Sequence, residues 1–250
     1  MEDSRQSAGR GVITVASLNV HGGVDSRGKP FDVAAAVAGL GADLIALQET
    51  WVKAGEPDPV AVAAEVIGAR VFRVWLHTDV SPARLGIPAG EVIGSTGIAV
   101  LSTLPVIAHE IIDLGRMNGD VVARRAQILT VRLAGSGTAV RIAGTHLTHR
   151  YVSPVQLGRL VWHLSRSPLP TVIAGDLNMP RQVARIAPGY TPAPRGRTFP
   201  ADAPLLQLDH VLVSRHLQPL DAGVLPPVGS DHLPVRARLT LRDGYRITAV

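Results

Sequence analysis

The chain has 250 residues, 46% of them hydrophobic, and 25 Lys and Arg against 20 Asp and Glu, for a net charge of +5. Folding a chain of this length can bury about three-quarters of the surface it exposes unfolded. The absence of cysteine excludes disulfides, thiolate metal sites and cysteine nucleophiles, so any metal must be held by oxygen or imidazole.

No apolar run approaches the ~20 residues of a membrane span. The start, MEDSRQSAGRG, lacks the basic and apolar regions of a signal peptide, so a cytoplasmic location is expected. The basic residues are nearly all Arg, with Lys only at 29 and 53, and they form no long run of like charge. The charge therefore permits a phosphate-bearing partner without marking DNA. Residues 1–10 are expected to fray, and 11–245 to form a single domain.

In chain order, VITVASL (12–18) is β-rich and short, which predicts a buried strand. FDVAAAVAGL (31–40) predicts a helix closed by Gly41, and DLIALQ (43–48) a strand. DPVAVAAEVIGA (58–69) opens with Asp before Pro, a helix start. A strand at 71–77 and a Pro- and Gly-bearing loop at 78–95 follow. The segments 96–102, 106–114, 124–133 and 139–147 are strand-like. SPVQLGRLVWHLSR (153–166) is the clearest amphipathic helix. Ser153 can cap it, Pro154 suits its first turn, and Leu157, Leu160, Val161 and Leu164 form one face. A strand at 171–177, a loop at 187–204 and strands at 205–214 and 233–241 complete the chain. Strands outnumber helices and several are joined by short turns. Two sheets packed face to face with helices outside fit better than a wholly parallel sheet.

Polar residues recur at the ends of the apolar strands. Asn19 follows VITVASL, Glu49 follows LIALQ, His146 follows RIAGT, and Asp176 and Asn178 follow TVIAG. Asp209 lies inside LLQLDHVLV, where burial demands a partner, and Asp231 and His232 precede LPVRARL. These residue types suit one chemistry. Glu49 and another carboxylate, with Asn19 in support, offer hard oxygen ligands for Mg²⁺. Asp176 could deprotonate a water that Asn178 holds. His146 and His232 could donate to a phosphoryl oxygen, with Asp209 orienting His232. His77, His109, His163 and His216 are assigned to surface or packing roles.

The quoted segments resemble the endonuclease/exonuclease/phosphatase superfamily, the deoxyribonuclease I-like fold, from about residue 12 to 241. SLNVHGG is similar to its first motif, DLIALQET to its glutamate motif, TGIAVLS to its glycine strand and GTHL to its histidine motif. LDHVLVS resembles its aspartate strand, and IAGDLNMP and GSDHLPV match its final motifs most closely. The resemblance implies an α/β fold, a four-layer α-β-β-α sandwich of two mainly antiparallel mixed sheets. It also implies Mg²⁺- or Mn²⁺-dependent cleavage of phosphoester bonds. Carried over, Glu49 is the principal metal ligand, supported by Asn19 and Asp231, and Asn19 also supports the phosphate. Asp176 with Asn178 handles the water, His146 contacts phosphate, and His232 pairs with Asp209. Either Asp176 or His232 could be the base. Arg124 or Arg125, and Thr198, resemble further phosphate contacts.

Two departures narrow the expectation. Repair nucleases of the exonuclease III type carry Asp where this chain has His21, and imidazole suits Mg²⁺ poorly. Aromatic residues, 4% of the chain, are scarce for stacking nucleic acid, although His149, Arg150 and Tyr151 could form a substrate-side wall. The expectation is a monomeric phosphodiesterase, with nuclease activity slightly ahead of action on a small or lipid-derived diester. A phosphomonoesterase, with its cationic pocket supplied by Arg124, Arg125 and the RGR at 195–197, is the enzyme rival. A catalytically silent binding module using the same groove is the rival from another class.

Overall fold

The computed structural model describes residues 11–81, 93–117, 120–133, 135–149, 151–243 and 245. The expected fraying of residues 1–10, and most of the 78–95 loop, lie outside these. One sheet holds β1 (Val12–Asn19), β2 (Leu44–Lys53), β3 (Arg70–Val80), β4 (Gly94–Ser102), β11 (Leu217–Val224) and β12 (Val235–Leu241). The other holds β5 (Val106–Gly115), β6 (Arg124–Arg132), β7 (Ala139–His146), β8 (Thr171–Asp176), β9 (Tyr190–Pro192) and β10 (Asp209–Ser214). The strand orders are β11-β12-β1-β2-β4-β3 and β5-β6-β7-β8-β10-β9. In each sheet one central pair is parallel, β1 with β2 and β7 with β8, and the other pairings are antiparallel.

Helices α1 (Val33–Gly39), α2 (Pro59–Val66), α3 (Ser153–Leu164) and the short α4 (Arg181–Ala184) complete the elements. Three apolar clusters define the layers. Ile13, Val15, Leu44, Val140, Ile142, Val172 and Val211 meet between the sheets. Leu18, Ile45 and Leu47 pack under α1 and α2, and Ile128, Ile173 and Leu212 under α3. This is the expected four-layer sandwich. The period of two along each strand does the sorting: Ile13 and Val15 of β1 face the other sheet, whereas Ala16 and Leu18 face the helices. Among the described residues no helix is long and apolar enough to cross a membrane.

Asp58 caps α2 by accepting from Val60 N at 2.9 Å, with Pro59 in the first turn, as the sequence predicts. The buried face of α3 is the predicted one, but Ser153 does not cap it. Val152 holds the cap position, and the Ser153 hydroxyl donates instead to Asn178 O at 3.3 Å, tying α3 to the end of β8. Several boundaries differ from expectation. β2 runs on to Lys53, and β3 reaches Val80 and β4 starts at Gly94, so both ends of the expected 78–95 loop are strand. β10 begins only at Asp209, because Leu205 and Leu206 are exposed on the preceding turn. The 187–204 loop contains β9, and β11 was not foreseen because it is an edge strand with one fully buried residue and Pro219 at a register shift.

Gly175 shows how the fold sets the site. A Cβ there would strike the Thr145 carbonyl oxygen of β7, so only glycine lets β8 lie this close and bring Asp176 into line with His146. Gly175→Ala should cost about 2 kcal/mol of stability, measurable by denaturant unfolding, because the obstacle is backbone and cannot rotate away. Unchanged stability would show that the two strands can part freely.

Candidate active site

At one end of the sandwich the inward-facing positions change from apolar to polar. In register across three strands, His146 stands opposite Asp176, and Asp176 opposite Asp209. Asn19 ends β1 on the other sheet. Glu49 reaches the same place by a different device. Ile45 and Leu47 point to the helices, so a regular strand would send Glu49 there too. A register shift between Leu47 and Thr50, with Glu49 at φ 52, turns its side chain to the cleft instead.

The cleft has a volume of about 490 Å³ and is lined by Glu49, His146, Asp176, Asn178, Asp231 and His232, together with His21, Asp120, Arg124 and His149. The remaining wall is largely apolar, from Leu76, Val121, Val122, Phe199 and Leu208. His146 Nε2 and His232 Nε2 lie 3.7 and 3.8 Å from the same Asp176 oxygen. His232 Nδ1 donates to Asp209 Oδ2 at 2.8 Å, and Asp209 is fully buried. The pairing expected of Asp209 is thus present in the fold.

Burial sets the protonation states. It pushes Asp176 up to about 7, with Asp209 and Glu49 adding to it against the pull of His232. Burial opposes charge on His232, but Asp209, Asp176 and Asp231 outweigh it and raise that histidine to about 10. His146 goes the other way, held well below its ordinary value by burial and by the Arg124 charge. At neutral pH His232 is therefore an imidazolium and His146 a neutral imidazole.

The hydrogen bonds revise several expected roles. Asn19 Oδ1 accepts from His21 N at 3.0 Å, so its amide nitrogen must face the carboxylates. That nitrogen donates to Glu49 Oε1 at 3.0 Å and Asp176 Oδ2 at 3.2 Å. In this geometry the Asn19 amide nitrogen spans the two carboxylates and its oxygen is taken by a backbone N–H. Asn178 Nδ2 donates to Leu147 O at 3.0 Å, which fixes its amide, and contacts His146 Nε2 at 3.1 Å. His146 Nε2 is then an acceptor, and the expected donation from His146 to phosphate is not set up in this geometry. Asn178 N donates to Asp176 Oδ1 at 2.9 Å, which leaves Oδ2 directed to the cleft side.

Two expected phosphate contacts are not brought to the cleft. Thr198 is fully buried and accepts from Leu208 N and Asp209 N at 3.0 and 3.2 Å, so it anchors the start of β10. Arg125 is not among the lining residues, whereas Arg124 is. Arg124 is held by Asp120, whose buried carboxylate lies 3.5 Å from its Nε and also accepts from the Thr148 hydroxyl and from Met117 N. Nothing in the sequence marks Asp120, which follows Asn and Gly and ends no apolar run. Ser230 was also missed: its hydroxyl donates to Asn19 O at 2.6 Å and joins the last motif, GSDHLPV, to β1. His149 lines the cleft, Tyr151 is fully exposed, and Arg150 lies outside the described residues.

The donor set suits a hard cation. Glu49, Asp176 and Asp231 face one cleft, and among the described residues their only ion-pair partners are imidazoles. Asp176, Asp209 and His232 also come within 4.8 Å of one another. An imidazolium spent on Asp209 cannot ligate, however, so the Glu49 side is where a cation fits.

The sequence profile of the Endonuclease/Exonuclease/phosphatase family matches residues 16–232. Comparison with curated proteins returns no match. Among solved structures, an endonuclease/exonuclease/phosphatase from Beutenbergia cavernae is similar at 21% identity and TM-score 0.73, covering 93% of this chain and 72% of that one. The human Nocturnin catalytic domain, solved with a bound sulfate anion, is similar at 20% identity and TM-score 0.71, over 93% and 94% of the two chains. A mannosyl-6-phosphatase from Bacteroides thetaiotaomicron is similar at 16% identity and TM-score 0.71, over 91% and 99%. With the profile spanning every strand-end residue from Asn19 to His232, the chain belongs to the endonuclease/exonuclease/phosphatase family, whose members hydrolyse phosphoester bonds.

Proposed function

We propose that this chain is a Mg²⁺- or Mn²⁺-dependent phosphodiesterase in which Asp176 is the base and His232 the cationic donor. The observation that carries this reading is the pair itself. Two groups 3.8 Å apart have their protonation pushed to about 7 and about 10, so both are in the required state at mildly alkaline pH. Asp176 takes a proton from water as the water oxygen bonds to phosphorus, the opposite ester P–O bond breaks, and the leaving alkoxide departs and takes up a proton from solvent. His232 donates from Nε2 to the phosphoryl oxygen as charge builds there, while Asp209 holds its Nδ1–H. Asn178 and Asn19 keep the Asp176 carboxylate aimed. Glu49 and Asp231 would hold the divalent cation, which supplies Lewis-acid screening of the phosphoryl charge when bound.

Charge favours a diester over a monoester. Among the described lining residues Arg124 is the one Lys or Arg, and Asp120 already faces it, against Glu49, Asp176 and Asp231. Arg195 and Arg197 are exposed and Arg125 does not line the cleft, so the cationic pocket imagined for a dianion is not assembled from these arginines. A small diester suits the apolar flanks better than a duplex does, although the +5 net charge keeps nucleic acid as the second reading.

The test compares bis-p-nitrophenyl phosphate, p-nitrophenyl phosphate and plasmid DNA with Mg²⁺, Mn²⁺ or EDTA. The diester should turn over with metal, stop with EDTA, and exceed the monoester about 10-fold or more in kcat/KM, the discrimination one unmatched charge supplies. A preference for the monoester would overturn the diester reading. Plasmid cleavage that weakens steeply with added salt would favour the nuclease.

A further inference from the structure

Among the described residues, four that are not glycine have left-handed backbone: His21 (φ 44), Glu49 (φ 52), Asp79 (φ 54) and Asn178 (φ 50). Three of them line the cleft. Such strain persists only where the surrounding structure enforces it, and it gathers at working sites. For Glu49 and Asn178 it aims side chains already used above. His21 is the third, and the phosphoesterase reading gives it no task.

Its placement is enforced. The His21 N–H is held by Asn19 Oδ1, and Gly22 and Gly23 follow at φ 65 and 83, turning the chain so that the imidazole enters the cleft. A glycine at position 21 would make the same turn without strain, so the imidazole itself is what the position adds. Its Nδ1 lies 3.5 Å from Asp231 Oδ1, too far for a hydrogen bond, and is buried with no hydrogen-bond partner. The side chain is 13% exposed. Among the described residues the ring makes no side-chain hydrogen bond, and with Nδ1 turned to Asp231 its Nε2 edge is the one left for a partner in the cleft.

We propose that His21 is a substrate-binding residue, hydrogen-bonding an oxygen of the phosphodiester beside Asp231. With Nδ1 buried against Asp231, a phosphoryl oxygen in the cleft is met by Nε2, which donates when it carries the proton. This inference rests on the phosphodiester reading for the identity of its ligand.

The experiment uses His21→Gly and His21→Asn, since both residues accept the left-handed backbone and neither reaches as far as imidazole. Both should raise KM for bis-p-nitrophenyl phosphate about 10-fold, the size of one lost hydrogen bond, with a smaller change in kcat. Binding of dimethyl phosphate, an inert diester, should weaken by the same factor in calorimetry. Mn²⁺ affinity should not change, and the melting temperature should hold or rise as strain is released. Unchanged KM and dimethyl phosphate binding would overturn the proposal. So would a KM increase accompanied by lost Mn²⁺ affinity, which would make His21 a metal ligand, or by a lower melting temperature, which would make it structural. If the unmutated protein turned over no diester, the proposed function would fall, while dimethyl phosphate binding would still decide the role of His21.

Discussion

Replacing His232 with alanine should lower kcat by about 10³-fold with little change in KM, as expected when an interaction made mainly in the transition state is lost. The ring is buried, and its Nδ1–H is committed to Asp209 at 2.8 Å, so only Nε2 is available to substrate. Burial alone would keep that ring neutral. Asp209 and then Asp176 reverse this and raise it to about 10, so the imidazolium persists through neutral pH. Asp209→Asn should therefore act through His232: the ring stays in place but loses its charge at a lower pH. The unmutated enzyme should lose activity as pH rises through about 10, and Asp209→Asn should lose it earlier. Stability has the same sign. A group held more tightly protonated when folded contributes most below its unfolded value of 6.5, and that contribution is lost as pH rises through about 10. The measurement is a kcat–pH profile with a parallel melting series. An alkaline limb that does not move in Asp209→Asn would show that Asp209 does not govern His232.

The sandwich was legible because both sheets are built from short β-rich apolar runs, and because a polar residue at the end of such a run has one natural explanation. Asn19, His146 and Asp176 are of this kind, and Asp209 opens its strand opposite Asp176. Glu49 was legible as a residue but not as a geometry, since the bulge that turns it inward leaves no mark in LIALQET. The directions of the amides were not legible at all. Whether Asn19 offers oxygen or nitrogen to the cleft depends on His21 N lying 3.0 Å away, and whether His146 donates or accepts depends on Leu147 O. Thr198 misled because hydroxyls serve equally as ligand contacts and as acceptors for buried backbone, and here two N–H groups of the β10 turn take it. Edge strand β11 was hidden by its exposure: a strand that buries little carries no apolar signal.

Asp176→Asn should lower kcat by about 10³- to 10⁴-fold, because it removes the base while keeping the shape of the side chain. The substitution is informative because of its expected effect on stability. Burial raises Asp176 from 3.8 to about 7, so its contribution to folding is fully present below 3.8 and is lost as pH rises through about 7. Above that pH the wild-type protein holds a buried carboxylate beside Glu49 and Asp209 carboxylates, and an amide relieves that repulsion. At pH 9 the variant should therefore melt no lower than wild type, and its melting temperature should vary less between pH 5 and 9. A bound cation would narrow this difference by favouring the ionised carboxylate, so EDTA should widen it. Near-complete loss of activity in a protein of equal or greater stability would mark Asp176 as a group kept strained for chemistry. Loss of activity together with a lower melting temperature at pH 9 would instead assign it to holding His146, Asn19 and Asn178 in place, and the base would have to be sought elsewhere in the cleft.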